Sequence, residues 1–390
     1  MNSFRISESQ IAGVIGAAAA DELSRRFNRH FDFLTIASWA LPETPLGVGG
    51  LGLNEEEAEA CARRVAHLFG VDRETVQPRA GARIADWARA VARAVQDRLT
   101  VFSFKPAARD NEDASCDHHA DEIFQDAAAA ANLLYGRRRL LSFVAPHSLL
   151  GFELSVLTPN LLRVDAVDAR GMTPEVLSEN LAFGDVLVAT PTLWRYMVRE
   201  KLTAPDNTMA VSFGEPMTPD LAVEMRKSGF GVMRELYGST ETGLIGWRDS
   251  PNDPFVLCDH WRRDRDALTR IAPGGGEKRV RPMDVFDWAD ERRFRLLGRK
   301  DGAVQIGAVN VFPEEVAKAL RAHPKIAECD VVYGRRGDGV NRLIAHIVLK
   351  KGAQPNEKTA RDIDAWCRLH LRQQERPRIY NFEPGSGSEA

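Results

Sequence analysis

The chain has 390 residues, 44% hydrophobic and 27% charged, proportions of a globular protein with room for two or three domains. Its 52 basic and 55 acidic side chains leave a net charge of −3, which argues against a nucleic-acid binder of the usual basic kind. No apolar run approaches the length of a membrane span, the start "MNSFRISESQ" lacks the basic-then-apolar order of a signal peptide, and five dispersed cysteines without a CxxC pair suit reduced thiols in a cytoplasm.

Residues 1–98 read as helical. "EEEAEACARRVAHLFG" places Ala58, Cys61, Val65 and Leu68 on one stripe, with Asn54 as its cap. "ARIADWARAVARAV" repeats the stripe with Ile84, Trp87, Val91 and Val95, and the Pro/Gly-rich stretch 41–53 connects the segments on either side. Over residues 99–297 the texture changes to α/β. Short apolar runs, "LLSFVAP", "DVLVATP" and "MAVSFGEP", alternate with helical patterns, "TPEVLSENLA" and "TPDLAVEMRKSG". In such sheets the chemistry sits in loops at the carboxyl ends of strands, where "ATPT", "SFGEP" and "YGSTETG" fall. Residues 298–380 read as a small α+β domain. A helix opens on Pro313 with Glu314 and Glu315 in its first turn, and a later helix carries Ile363, Trp366 and Leu369. The polar, Gly/Ser-rich tail, residues 381–390, reads as disordered.

The stretch "RELYGSTETGLIGW" asks for a physical reason. An apolar strand gives way to two glycines, hydroxyl residues and a lone acid, Glu241. Glycines let backbone amides approach an anion, hydroxyls add donors, and a carboxylate beside them can hold Mg²⁺. Tyr237 offers a ring on which a base can stack. A plain turn is the alternative. "CDHHADE" carries metal-type ligands at Cys116, His118, His119 and Asp121. The spacing matches no standard zinc site, so a solvated helix start is expected.

"YGSTETG" resembles the core signature of the adenylate-forming superfamily, which comprises acyl- and aryl-CoA synthetases, adenylation domains and luciferases. The likeness extends to "SFGEP", "RPMD", "GRKDGAVQIGAVNVFPEEV" and "AHPKIAECDVVY", and so spans about residues 140–380. It implies an α/β large domain, here truncated, with a small α+β C-terminal domain. The implied reaction activates a carboxylic acid with ATP and Mg²⁺ as an acyl-adenylate, for transfer to CoA or a carrier-protein thiol. Carried onto this chain, it puts Gly214, Glu215 and Pro216 at the adenine, Tyr237 stacked on it, and Gly238, Ser239 and Thr240 at the phosphate. Glu241 then holds the metal, Asp284 and Arg299 hold the ribose, and Asp301 is the hinge. The acid would lie among His147, Gly151, Phe152, Trp194 and Gly243, apolar and aromatic walls suited to an aryl or unsaturated acyl group; a buried histidine and a core tryptophan are the alternatives for His147 and Trp194.

Three departures stand out. Where the family keeps a glycine-rich phosphate loop, this chain reads "SFKPAARDNEDASCDHH", with only Lys105 and Arg109 to offset its acids. The family's Gly-Lys pair near the C-terminus has no counterpart, Lys358 being the last lysine. Either the natural chain continues past Ala390, or Arg376 or Arg378 takes the role, or adenylation is inefficient. The usual N-terminal subdomain is mostly replaced by the helical region, which resembles a carrier-protein bundle with Asn54, Glu55 and Glu56 in place of Asp-Ser-Leu, or is an unrelated bundle. Short members of this kind are similar to the adenylating protein of phenazine (griseoluteate) antibiotic biosynthesis. The expectation is therefore a cytoplasmic acid–thiol ligase with neither a nucleic-acid nor a membrane partner, the second reading being a degenerate homologue that binds AMP, an acyl group or a carrier protein.

Overall fold

A computed structural model describes residues 6–39, 41, 43–98, 101–106, 114–306, 309–335 and 341–383. The chain divides into two compact units, one running to Pro282 and taking in Asp287–Arg295, the other comprising Met283–Phe286 and the chain from Leu296 onward.

In the first unit, helix Glu8–Phe27 starts at a capping box on Ser7 and ends at Asn28 in the left-handed conformation. Its apolar face, including Ile11, Ile15 and Leu23, packs with helices Glu55–Leu68 and Ile84–Arg98. Asn54 caps the second of these helices, accepting from Glu57 N at 2.9 Å while Glu57 reaches back to Asn54 N at 3.0 Å. Ala58, Cys61, Val65, Leu68, Ile84, Trp87 and Val91 are buried as the periodicity requires. The same core continues into Phe102, Phe104, Ile123, Leu149 and Phe152. The helices of the first 98 residues thus share one interior with the first part of the α/β region.

The sheet of this unit runs Asp165–Asp168, Arg139–Ser142, Asp185–Ala189, Met209–Ser212, Val232–Ser239 as parallel neighbours. It continues antiparallel through Gly243–Arg248, Phe255–Leu257 and the start of Arg293–Arg299. The central strands Asp185–Ala189 and Met209–Ser212 are buried at every position, as parallel strands covered on both faces must be. Three covering helices, Pro174–Asn180, Pro191–Arg199 and Pro219–Lys227, begin alike. Thr173, Thr190 or Thr218 caps the first turn by accepting a backbone N–H, and proline follows at the first helical position. These starts fix the strand ends, so "ATPT", "SFGEP" and "YGSTETG" sit at the carboxyl edge of the sheet.

In the second unit, strands Ile326–Arg335, Asn341–Leu349 and Ile379–Glu383 form a sheet. Its core takes in helices Pro313–Arg321 and Glu357–His370. Pro313 opens its helix as expected, with Glu314 and Glu315 in the first turn. Leu369, on the same helix as Ile363, is 75% exposed. Cys367, one turn after Ile363, takes the core position, and Trp366 is half-buried with its indole N–H on Ala319 O. Of the tail 381–390, expected as disordered, residues 381–383 instead close strand Ile379–Glu383 through its parallel pairing, and 384–390 lie outside the described residues. Among the described residues no helix is long and apolar enough to cross a membrane.

Candidate active site

The stretch Tyr237–Gly243 is the turn between strands Val232–Ser239 and Gly243–Arg248, entered through a register shift between Tyr237 and Gly238. Both glycines are required by close approach. A Cβ on Gly238 would lie 2.2 Å from Gly243 O. Gly243 has φ +78°, and its Cβ would lie 2.1 Å from Asp126 Oδ2. Inside the turn Thr242 Oγ1 accepts from Ser239 N at 3.2 Å and lies 3.0 Å from Ser239 Oγ. Glu241 is the one exposed residue from Tyr237 to Gly243. The Tyr237 ring is mostly enclosed, 8% exposed, packed on Phe255 and Phe294 at 5.5 and 5.6 Å between centroids.

The turn is held from beneath by residues to which the sequence reading gave no such role. Cys116–His119 is a strand paired antiparallel with Val101–Phe104, and the helix begins only at Ala120. The expected solvated helix start is therefore corrected. His118 is buried because strand alternation turns it inward, and its Nε2 lies 2.7 Å from Thr240 O. Burial holds the His118 imidazole below its ordinary pKa, opposed by that carbonyl and by Asp126 and Glu122. Asp126, on helix Ala120–Leu133, accepts Leu244 N at 3.1 Å and pairs with Arg270 at 2.7 Å. His260 Nε2 lies 2.8 Å from the same carboxylate. Glu153 is also fully buried, in the π-helical turn Glu153–Leu157.

The loop Gly214–Pro216 follows strand Met209–Ser212, with Gly214 at φ +86°. Thr192 Oγ1 donates to Glu215, at 3.1 and 2.9 Å from its two oxygens. Just beyond, Met217 N donates to Glu235 Oε1 at 3.0 Å. Glu235 is buried and bridged to Arg248 at 2.7 Å. Burial pushes its carboxyl upward, against the arginine and the Met217 amide. Pro216 is exposed.

The residues expected to wall the acid have other work. Trp194 is fully buried, its indole N–H donating to Val211 O at 3.3 Å and its ring edge-on to Phe230 at 5.0 Å. It is a core residue. Trp194→Phe is expected to cost about 1–2 kcal/mol in a urea melt through the lost volume and the lost indole hydrogen bond, with the KM for the acid unchanged. Phe152 likewise packs on Phe102 and Phe104 at 5.0 and 5.9 Å. Gly151 closes a tight helix start, where a Cβ would meet Ala145 O at 2.2 Å. Gly243 faces Asp126, as above.

His147 faces the N-terminal helix, its Nε2 3.9 Å from Asp21 and its buried Nδ1 without a hydrogen-bond partner among the described residues. Burial, reinforced by Arg64, Arg25 and Arg170 against the pull of Asp21, lowers its pKa to about 4. Between that value and the ordinary 6.5 the unfolded chain binds a proton that the folded chain refuses, so stability falls as pH drops through this window. The expected loss across the whole window is on the order of 3 kcal/mol, and denaturant melts of His147→Asn should show it flattened. Lys105, expected to offset the missing phosphate loop, donates to buried Glu22 at 2.8 Å. It is committed to that carboxylate. Arg109 lies outside the described residues.

In the second unit, Arg299 grips Asp301 with two bonds of 2.9 and 2.6 Å. That guanidinium, aided by Ala303 N, holds the Asp301 carboxyl below its ordinary pKa despite partial burial. The expected ribose contact and the expected hinge residue thus form a closed pair across two positions. Asp284 is half-buried, one residue after the carbonyl of Met283 that accepts Lys300 N at 2.8 Å. Arg376 donates to the carbonyls of Leu371 and Arg368.

Comparison with known proteins gives these features a context. Residues 315–384 match the AMP-binding enzyme C-terminal domain. Over 313 residues the chain is 30% identical to a 4-coumarate–CoA ligase of Halorhodospira halophila, a stretch covering 80% of this chain and 78% of that one. The near equality of those shares means that the two chains are similar in length, so shortness is not peculiar to this one. A 4-coumarate–CoA ligase of Cereibacter sphaeroides is 30% identical over 68% of this chain and 63% of its own. In backbone the chain is similar to an amide bond synthetase from Marinactinospora thermotolerans, with TM-score 0.59 at 16% identity over 96% of this chain and 90% of that one. For ATP-bound MatB from Rhodopseudomonas palustris the values are 0.51, 15%, 97% and 90%. Those two likenesses carry the fold.

Proposed function

The chain belongs to the adenylate-forming family of acid–CoA ligases, and from that membership we propose that it activates an aromatic or unsaturated carboxylic acid at the Tyr237–Gly243 turn. The activity is ATP-dependent. An acid carboxylate attacks the α-phosphorus, pyrophosphate leaves, and the CoA thiol then displaces AMP from the acyl-adenylate. Such chemistry asks the protein for position and charge neutralisation more than for covalent help.

The observation that carries the reading is Glu241, a lone exposed carboxylate on a turn whose neighbours are pinned from beneath. Among the described residues no group of three or more His, Cys, Asp or Glu could enclose a metal. A single carboxylate nevertheless suits Mg²⁺, which takes its other ligands from phosphates and water. Glu241 would hold the ion, whose chemistry is to neutralise phosphate charge. Thr240 would meet the α-phosphate with its hydroxyl, and the residual Tyr237 edge would meet the base.

The aromatic assignment is supported by the 4-coumarate in the relatives' names, an aromatic acid. A role in antibiotic or pigment biosynthesis of the phenazine kind, in the cytoplasm where ATP and CoA are supplied, is the finer reading. Pyrophosphate exchange against a panel of aromatic acids tests it. Exchange with at least one acid is expected, followed by thioester on adding CoA. A carrier protein bearing the same thiol arm, supplied in parallel, identifies the acceptor. Absence of exchange with every acid, alongside measurable AMP binding, would overturn turnover and leave a binding role.

A further inference from the structure

We infer that Asp126 and Arg270 are positioning residues for adenylation, fixing the backbone of the turn that presents Thr240 and Glu241. The inference rests on the reading of that turn as the reacting site.

Two elements distant in sequence converge under the turn: helix Ala120–Leu133 and strand Ala267–Ile271. Arg270 is 2% exposed and engages all five of its N–H donors. Nε meets Gln125 Oε1 at 3.2 Å, two bonds of 3.3 and 2.7 Å reach Asp126, and the others reach Glu122 O at 2.5 Å and Thr242 O at 3.3 Å. Asp126 accepts from Leu244 N and lies against His260. Thr242 O and Leu244 N are thus gripped by charged partners, while His118 holds Thr240 O. Charged hydrogen bonds in a dry interior are about twice as strong as neutral ones.

Glu153 is fully buried beside this set, and among the described residues neither of its oxygens has a hydrogen-bond partner. Burial first, then the Asp126 charge, push its carboxyl well above the ordinary range. Apolar residues of equal volume would fill this space as stably. What the ionisable pair adds is a directional hold on two backbone atoms, Thr242 O and Leu244 N.

The test uses the full chain. Asp126→Asn keeps size and an acceptor but leaves Arg270 without its counter-charge. The kcat of pyrophosphate exchange should fall about 30-fold or more, with the KM for the acid within about threefold. Glu153→Gln, which keeps size and neutrality, should retain more than about a third of the wild-type kcat. Amide hydrogen exchange of peptide 239–247 should quicken about tenfold or more in Asp126→Asn, with protection over Ile326–Leu349 unchanged. Wild-type kcat and protection in folded Asp126→Asn, or a Glu153→Gln as impaired as Asp126→Asn, overturns the inference. Should the wild type exchange with no acid, the functional reading fails by itself, and the amide measurement still decides whether these residues hold the turn. Should Asp126→Asn not fold, Arg270→Lys takes its place. Its single ammonium cannot reach Thr242, Asp126 and Glu122 together, and a kcat loss of about tenfold is expected; wild-type kcat with unchanged amide protection overturns the inference.

Discussion

Glu241→Gln should lower Mg²⁺-dependent pyrophosphate exchange by about 100–1000-fold, as losing a group that stabilises transition-state charge does elsewhere. The amide keeps the size of the side chain and one acceptor oxygen but removes the negative charge that a hard cation needs. Glu241 is exposed and the turn is secured by other atoms, so the variant should fold and melt like the wild type. The defect should be partly relieved by raising Mg²⁺, because the phosphates still contribute ligands. A variant with wild-type exchange at low Mg²⁺ would remove Glu241 from the reaction and, with it, the turn from the site.

Arg270→Met is the second large effect. It leaves the Asp126 carboxylate, 1% exposed, without its arginine, against His260 and the Leu244 amide. Breaking a buried pair from one side costs about 3–5 kcal/mol, visible as a drop of several degrees in the melting of the first unit. Pairing it with Asp126→Leu removes the stranded charge and should restore most of that stability, short by about 1 kcal/mol for the orphaned Leu244 amide. Activity should not return with it. A double variant as unstable as Arg270→Met would mean that lost packing, rather than charge, sets the cost.

Much of the fold is readable from the chain. Alternating apolar runs and Thr-Pro helix starts point to the sheet and its carboxyl edge, because those signals are local. Tyr237, Thr240 and Glu241 are legible because glycine spacing and hydroxyl composition report a turn directly. The supporting set is not. His118, Asp126 and Arg270 meet the turn across sequence gaps of 122, 118 and 28 residues, and no local pattern encodes such meetings. One clue lies in Glu122 and Asp126, a turn apart on a helix whose same stripe carries Ile123, Ala127 and Ala130. Acids on a buried stripe imply a cation opposite. Trp194 and Phe152 mislead for the converse reason, since an aromatic near a strand end looks the same from sequence whether it lines a pocket or fills a core.

The fastening of the turn runs through main-chain atoms, the carbonyls of Thr240 and Thr242 and the amide of Leu244. Every amino acid has a carbonyl there, so the scaffold is blind to what stands at positions 240 and 241. Selection can therefore rewrite the chemistry displayed at the tip, one side chain at a time, with folding left intact.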